Sequence, residues 1–150
     1  MKPAPLVVVL LPLLFGGCGE KGGKTGVVGS LEWKIEGDAV TITDCDESAS
    51  GKLEIPATIK GKAVTSIGFG AFEGCSRLTS ITIGDSVTSI GNAAFAKCIR
   101  LSAVTFLGDA PKAGKEVFKD ATPTVYRKPE AKGWGDTFAG RPVKLISEKP

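Results

Sequence analysis

The sequence predicts a right-handed, mainly β solenoid with short helical turns, closed by an N-terminal hairpin cap and a C-terminal cap. Three observations carry this prediction. A 23-residue unit occurs twice in succession, the apolar spacing inside each unit suits a short strand, and the flanking segments hold pieces of the same pattern.

Val64-Thr65-Ser66-Ile67-Gly68 returns as Val87-Thr88-Ser89-Ile90-Gly91. The register then holds through Ala71/Ala94, Phe72/Phe95, Cys75/Cys98, Arg77/Arg100, Leu78/Leu101 and Thr82/Thr105. That density of identities over 23 residues marks a duplication, and such a period is the signature of repeat architectures. Leu78-x-x-Ile81-x-Ile83 and Leu101-x-x-Val104-x-Phe106 send alternate apolar side chains inward from a strand, with Thr82 and Thr105 outward. Ala71-Phe72-x-x-Cys75 and Ala94-Phe95-x-x-Cys98 place residues three apart on one side of a helical turn, and Asn92 reads as the N-cap of the second such turn. Full repeats therefore run over about 64–86 and 87–109. A single coil leaves apolar edges open, so neighbouring coils stack and terminal coils need caps.

In chain order, the first element is an export signal over residues 1–18. Lys2 is its positive start, Leu6 to Phe15 its apolar run interrupted by Pro12, and Gly16-Gly17 precede Cys18. The run is too short to span a bilayer, which takes roughly 20 apolar residues. Leu14-Phe15-Gly16-Gly17-Cys18 resembles a bacterial lipobox, with Phe15 where such signals usually carry Leu. The resemblance implies cleavage before Cys18 and lipid attachment to it, so that acyl chains supply the membrane affinity. Ordinary cleavage and secretion is the alternative. Residues 19–30 are rich in glycine and charge and read as a flexible tether. Gly23-Lys24-Thr25 is not a phosphate-binding loop, because Cys18 stands where that motif needs its first Gly.

Leu31-x-Trp33-x-Ile35 and Val40-x-Ile42 alternate on either side of Gly37-Asp38 and form the hairpin cap. Leu53 to Ile59 carry the strand-and-turn half of a repeat, with Lys60-Gly61-Lys62-Ala63 inserted before Val64. After the repeats, Phe118 falls 23 residues beyond Phe95, and Val125-Tyr126 is a last strand reached by a slightly shortened path. Trp134 and Phe138 share a face on a helical turn and cover the open end, with a sugar- or peptide-binding tip as the other reading of these aromatics.

These residues look like the BspA-like family of leucine-rich repeats, whose units run much as the two here do. Ile55 to Val64 resembles that family's usual lead-in to its first repeat, and Val125 to Arg127 with Gly133 to Pro142 its usual close. The resemblance covers about 31–146 and implies a leucine-rich-repeat solenoid in a bacterial surface or secreted protein. Cys45 and its acidic neighbours depart from the Gly-rich loop more often found there, and the array is short.

Composition narrows the function. The chain has 150 residues, 42% of them apolar, enough for one modest core. A net charge of +3 without a basic stripe argues against a nucleic-acid partner. The absence of histidine removes the commonest general base and metal ligand. No nucleophile stands beside a base and no carboxylates pair, so neither an enzyme nor a cofactor is expected. Cys75 and Cys98 sit one coil apart, about 5 Å between α-carbons, which allows either buried thiols or a disulfide. Asp44, Asp46, Glu47 and Ser48 lack the Gly and bidentate Glu of a calcium loop and read as a solvated turn.

What remains is a polar stripe produced by repetition: Arg77, Thr79, Ser80 and Thr82 in one coil, Arg100, Ser102 and Thr105 in the next. The expected function is a non-enzymatic, lipid-tethered interaction module of the cell envelope, at the outer membrane or surface, binding a protein or glycan through this face. The rival expectation is an accessory envelope lipoprotein acting by assembly or spacing.

Overall fold

The computed structural model describes residues 24–149, so the expected signal segment, Cys18 and residues 19–23 lie outside the described residues. Strands β1 (Lys24–Val28), β2 (Leu31–Glu36) and β3 (Ala39–Cys45) form an antiparallel meander. Alternation turns Leu31, Trp33, Ile35, Val40 and Ile42 into the core. Gly37, at φ 64°, takes the left-handed turn position that joins Glu36 to Ala39, as the hairpin reading requires.

The second half of the expected tether departs from expectation, because Lys24–Val28 is an ordered strand paired along β2. Gly26 lies flat on the Trp33 indole: a β-carbon there would stand 2.9 Å from two ring atoms. A residue that composition assigns to flexibility is thus a packing residue, and Lys24-Thr25 open a strand rather than a helix.

The solenoid follows. Its strands are β4 (Gly51–Ile55), β5 (Thr58–Ile59), β6 (Lys62–Ile67), β7 (Leu78–Ile83), β8 (Ser89–Ile90), β9 (Ala103–Phe106), β10 (Lys112–Ala113), β11 (Thr124–Arg127), β12 (Thr137–Phe138) and β13 (Arg141–Leu145). One sheet runs β1-β2-β3-β6-β8-β10 with β5 folded onto β6, and the other runs β12-β13-β11-β9-β7-β4. Between coils the pairing is parallel, and the sequence period becomes the register: Ser66 faces Ser89, Ser89 faces Lys112, and Ser80 faces Ala103. The shortened path to β11 shows as Val104 opposite Val125. The Lys60-Gly61 insertion is a tight turn with both residues at positive φ, 55° and 76°, between β5 and β6.

The expected helical turns are a correction. Residues 68–77 and 91–100 make successive turns and no helix. Alternate N–H groups bond locally, from Ala71 to Gly68, Glu73 to Gly70 and Cys75 to Phe72. The groups between them donate to the next coil, from Gly70 to Asn92, Phe72 to Ala94 and Gly74 to Ala96. Beyond its first turn a helix spends every N–H within itself, whereas stacking here captures every second one. Asn92 is likewise no N-cap. Its Oδ1 accepts the Lys115 N–H at 2.7 Å, one coil further on.

This ladder requires left-handed backbone at fixed places, Gly70 then Ala93 then Glu116, and Gly74 then Lys97 then Asp120. Glycine fills them only in the first repeat. Lys97→Gly, which restores the residue of the preceding coil, is expected to stabilise the fold by roughly 0.5–1 kcal/mol, read as a Tm rise of about 2–4 °C in a calorimetric scan.

Inside, Phe72, Phe95 and Phe118 stack in a column, with ring centroids 5.0 and 5.6 Å apart and planes inclined by 19° and 16°. Phe106, Trp134 and Phe138 close the far end, with all three centroid separations between 5.0 and 5.3 Å. Trp134 donates from Nε1 to the Gly108 carbonyl, which fixes it as part of the C-terminal cap.

Candidate functional site

The outward face of the second sheet is built by the same alternation that fills the core. Pairing in register lines up Lys52, Ser80, Ala103 and Thr124 in one row, and Glu54, Thr82, Thr105, Tyr126 and Lys144 in the next. Lys52, Glu54 and Lys144 are exposed, and Ser80, Thr82 and Thr124 half-buried. A rigid parallel backbone therefore presents short hydroxyl side chains flanked by charges, without any side chain having to be ordered for the purpose.

Of the stripe expected from sequence, Thr82 and Thr105 lie side by side on this face. Thr105 is only 5% exposed, because Lys149 crosses over it, donating from Nζ to its Oγ1 at 3.0 Å and standing 5.6 Å from the centre of the Tyr126 ring. Ser80, also of the expected stripe, lies in the neighbouring row between Lys52 and Ala103 and completes the open part of the face.

Thr79, Ser102, Arg77 and Arg100 stand elsewhere. The β4–β7 register jumps from Gly51 opposite Leu78 to Lys52 opposite Ser80, so Thr79 is the extra residue of a bulge. Ser102 repeats the position one coil on and ties the two together, from its N–H at 2.9 Å and its Oγ at 3.1 Å to the Thr79 carbonyl. Arg77 and Arg100 precede the strands, on the turns, and are exposed. These four form a margin beside the strand face.

The family model described as the BspA type leucine-rich repeat region matches residues 48–125, in six copies, a span that contains both full repeats and strands β4, β7 and β9 of this face. The chain belongs to the BspA-type leucine-rich repeat family.

Two crystal structures place this BspA-type chain among bacterial relatives. A leucine-rich cell surface protein from Faecalibacterium prausnitzii is 26% identical with a TM-score of 0.57, over 69% of this chain and 32% of its own. A leucine-rich repeat protein from Bacteroides capillosus is 26% identical with a TM-score of 0.55, over 81% of this chain and 97% of its own. This chain thus spans about a third of the first structure and almost all of the second. Among curated protein sequences nothing matches it significantly.

The cysteines and the acidic turn of this BspA-type solenoid make their hydrogen bonds within the fold. Cys45, Cys75 and Cys98 stand as buried thiols. Cys98 donates to the Phe72 carbonyl at 3.0 Å, and Cys75 to the Cys45 carbonyl at 3.9 Å. Burial pushes the Cys98 thiol up to about 12. A hydrogen bond with Cys75, then burial, raises Cys45 well beyond the ordinary thiol range. Cys45 and Cys98 therefore stay protonated at neutral pH, which leaves them without thiolate reactivity. In the acidic turn, Asp46 Oδ1 accepts the N–H and the hydroxyl of Ser48, each at 2.9 Å, closing the loop on itself. No group of three or more Cys, Asp or Glu among the described residues is placed to hold a metal ion.

Proposed function

We propose that the chain is a non-enzymatic interaction module of the bacterial cell envelope, tethered through lipid on Cys18, that binds a protein or glycan through the open part of the second sheet's outward face. The in-register pairing of Ser80 and Thr82 with Lys52 and Glu54 carries this reading. A fixed array of hydroxyls and opposite charges recognises polar partners with little ordering cost, since the scaffold is already rigid. The lipobox-like segment before Cys18 supports the tether, and the cell-surface description of the Faecalibacterium relative supports the envelope.

Two readouts in one bacterial host test it. Metabolic acyl-chain labelling is expected in wild type and absent from Cys18→Ser, with membrane association lost in the variant. A photocrosslinking residue at Thr82 is expected to trap a discrete partner, or a glycan from an array, while the same residue at exposed Thr88, which leads into β8 of the other sheet, traps none. Unlabelled wild type removes the tether from the proposal. Equal trapping at Thr82 and Thr88, or none at either, removes the binding face.

A further inference from the structure

The two sheets end differently at the start of the solenoid. The first continues past β3 into β2 and β1, whereas the second stops at β4, whose only strand partner among the described residues is β7. β4 therefore leaves one edge of backbone N–H and C=O groups without a neighbouring strand, the kind of edge that pairs with another chain. A cavity of about 310 Å³ opens beside it, between the β1–β2 turn and β4, lined mainly by apolar atoms from residues that include Val28, Leu31, Leu53 and Pro56. Val28 is 43% exposed there.

We propose that this edge docks a second copy of the chain, β4 pairing antiparallel with β4 about a two-fold axis through Leu53. Charge selects both the occupant and the register. Gly51-Lys52-Leu53-Glu54-Ile55 carries its two charges on the outward side, one on each side of Leu53. In the antiparallel register centred on Leu53, Lys52 of each copy lies opposite Glu54 of the other, giving two complementary cross-strand pairs. Sliding the strands by two residues in either direction sets Lys52 against Lys52 or Glu54 against Glu54, which is unfavourable. A one-residue slip turns the side chains to opposite faces. On the inner side the centred register brings the two half-buried Leu53 side chains together above the apolar cavities. A two-fold contact of this kind is self-complementary, so the pairing closes at a dimer and does not propagate. Lys52 and Glu54 also flank the proposed binding face, but self-association is read on the chain alone, so its failure and that of partner trapping at Thr82 are told apart.

Sedimentation velocity of the full chain in non-ionic detergent tests this. Wild type is expected to sediment as a dimer. Lys52→Glu and Glu54→Lys are each expected to weaken it by about tenfold or more, since each turns both cross-strand pairs into like charges. The combined Lys52→Glu/Glu54→Lys variant is expected to dimerise again, and an equimolar mixture of the two single variants to form a heterodimer. Both positions are exposed, so thermal melts report whether each variant stays folded. A monomeric wild type, a dimer indifferent to both reversals, or folded single variants that fail to associate when mixed would each overturn the proposal.

Discussion

Phe95→Ala is expected to lower the unfolding free energy by about 4 kcal/mol, the usual range for truncating a buried aromatic side chain. Phe95 is fully buried and is stacked on both faces, against Phe72 on one side and Phe118 on the other. Its removal therefore opens a void in the middle of the column and breaks two ring contacts at once. Neighbouring coils are the source of stability in a solenoid, so the lesion weakens the coupling between the coils on either side. Natural domains hold only about 5–15 kcal/mol in total, and the loss is a large share of that. Urea unfolding checks it: the midpoint falls with Phe95→Ala, and falls less with Phe118→Ala. Phe118 stacks on Phe95 alone and keeps 5% exposure, so its truncation removes one ring contact rather than two. Equal midpoints for the two variants would show that the ladder does not set the energetics.

Gly91→Ala is expected to cost about 3 kcal/mol, at the upper end of what inserting a methyl group into a packed site costs. A β-carbon at Gly91 would meet the backbone of the previous coil, 2.7 Å from the Phe69 nitrogen and 2.8 Å from the Gly68 carbonyl carbon. Backbone cannot swing aside as a side chain would. Forcing the coils apart there also strains the Gly91 N–H bond to the Ile67 carbonyl, 2.7 Å long. Gly68 is the internal control. It ends the same Val-Thr-Ser-Ile-Gly motif, yet its β-carbon would meet nothing nearer than the Ile42 carbonyl oxygen at 3.2 Å. Gly68→Ala is expected to cost about 1 kcal/mol or less, and paired Tm measurements separate the two. The motif is the same in both places and the difference lies in the coil beneath.

That contrast marks the boundary of what the chain's letters record. The 23-residue period became the register of the parallel sheets, because stacking identical units in register buries identical apolar positions against one another. The same logic made the phenylalanine column legible, and turn chemistry the Gly37-Asp38 hairpin, whereas Trp134 and Phe138 cap the end as expected but from a loop and strand β12 rather than from a helical turn. On the candidate face, alternation along the strand was enough to turn Thr82 and Thr105 outward.

The rest depended on segments distant in sequence. Gly26 looked like linker until β1 was laid on Trp33, and Asn92 looked like a cap until the next coil brought the Lys115 N–H to it. Turns that looked helical gave half their N–H groups to a neighbouring coil, which no local pattern encodes. Thr79 left the strand face through a bulge defined by its partner strand, and Thr105 disappeared under Lys149, 44 residues further along the chain. Periodicity determines which residues repeat and which way they face, because those follow from local geometry. What covers a residue, and which backbone group accepts its hydrogen bond, is decided only when remote parts of the chain meet.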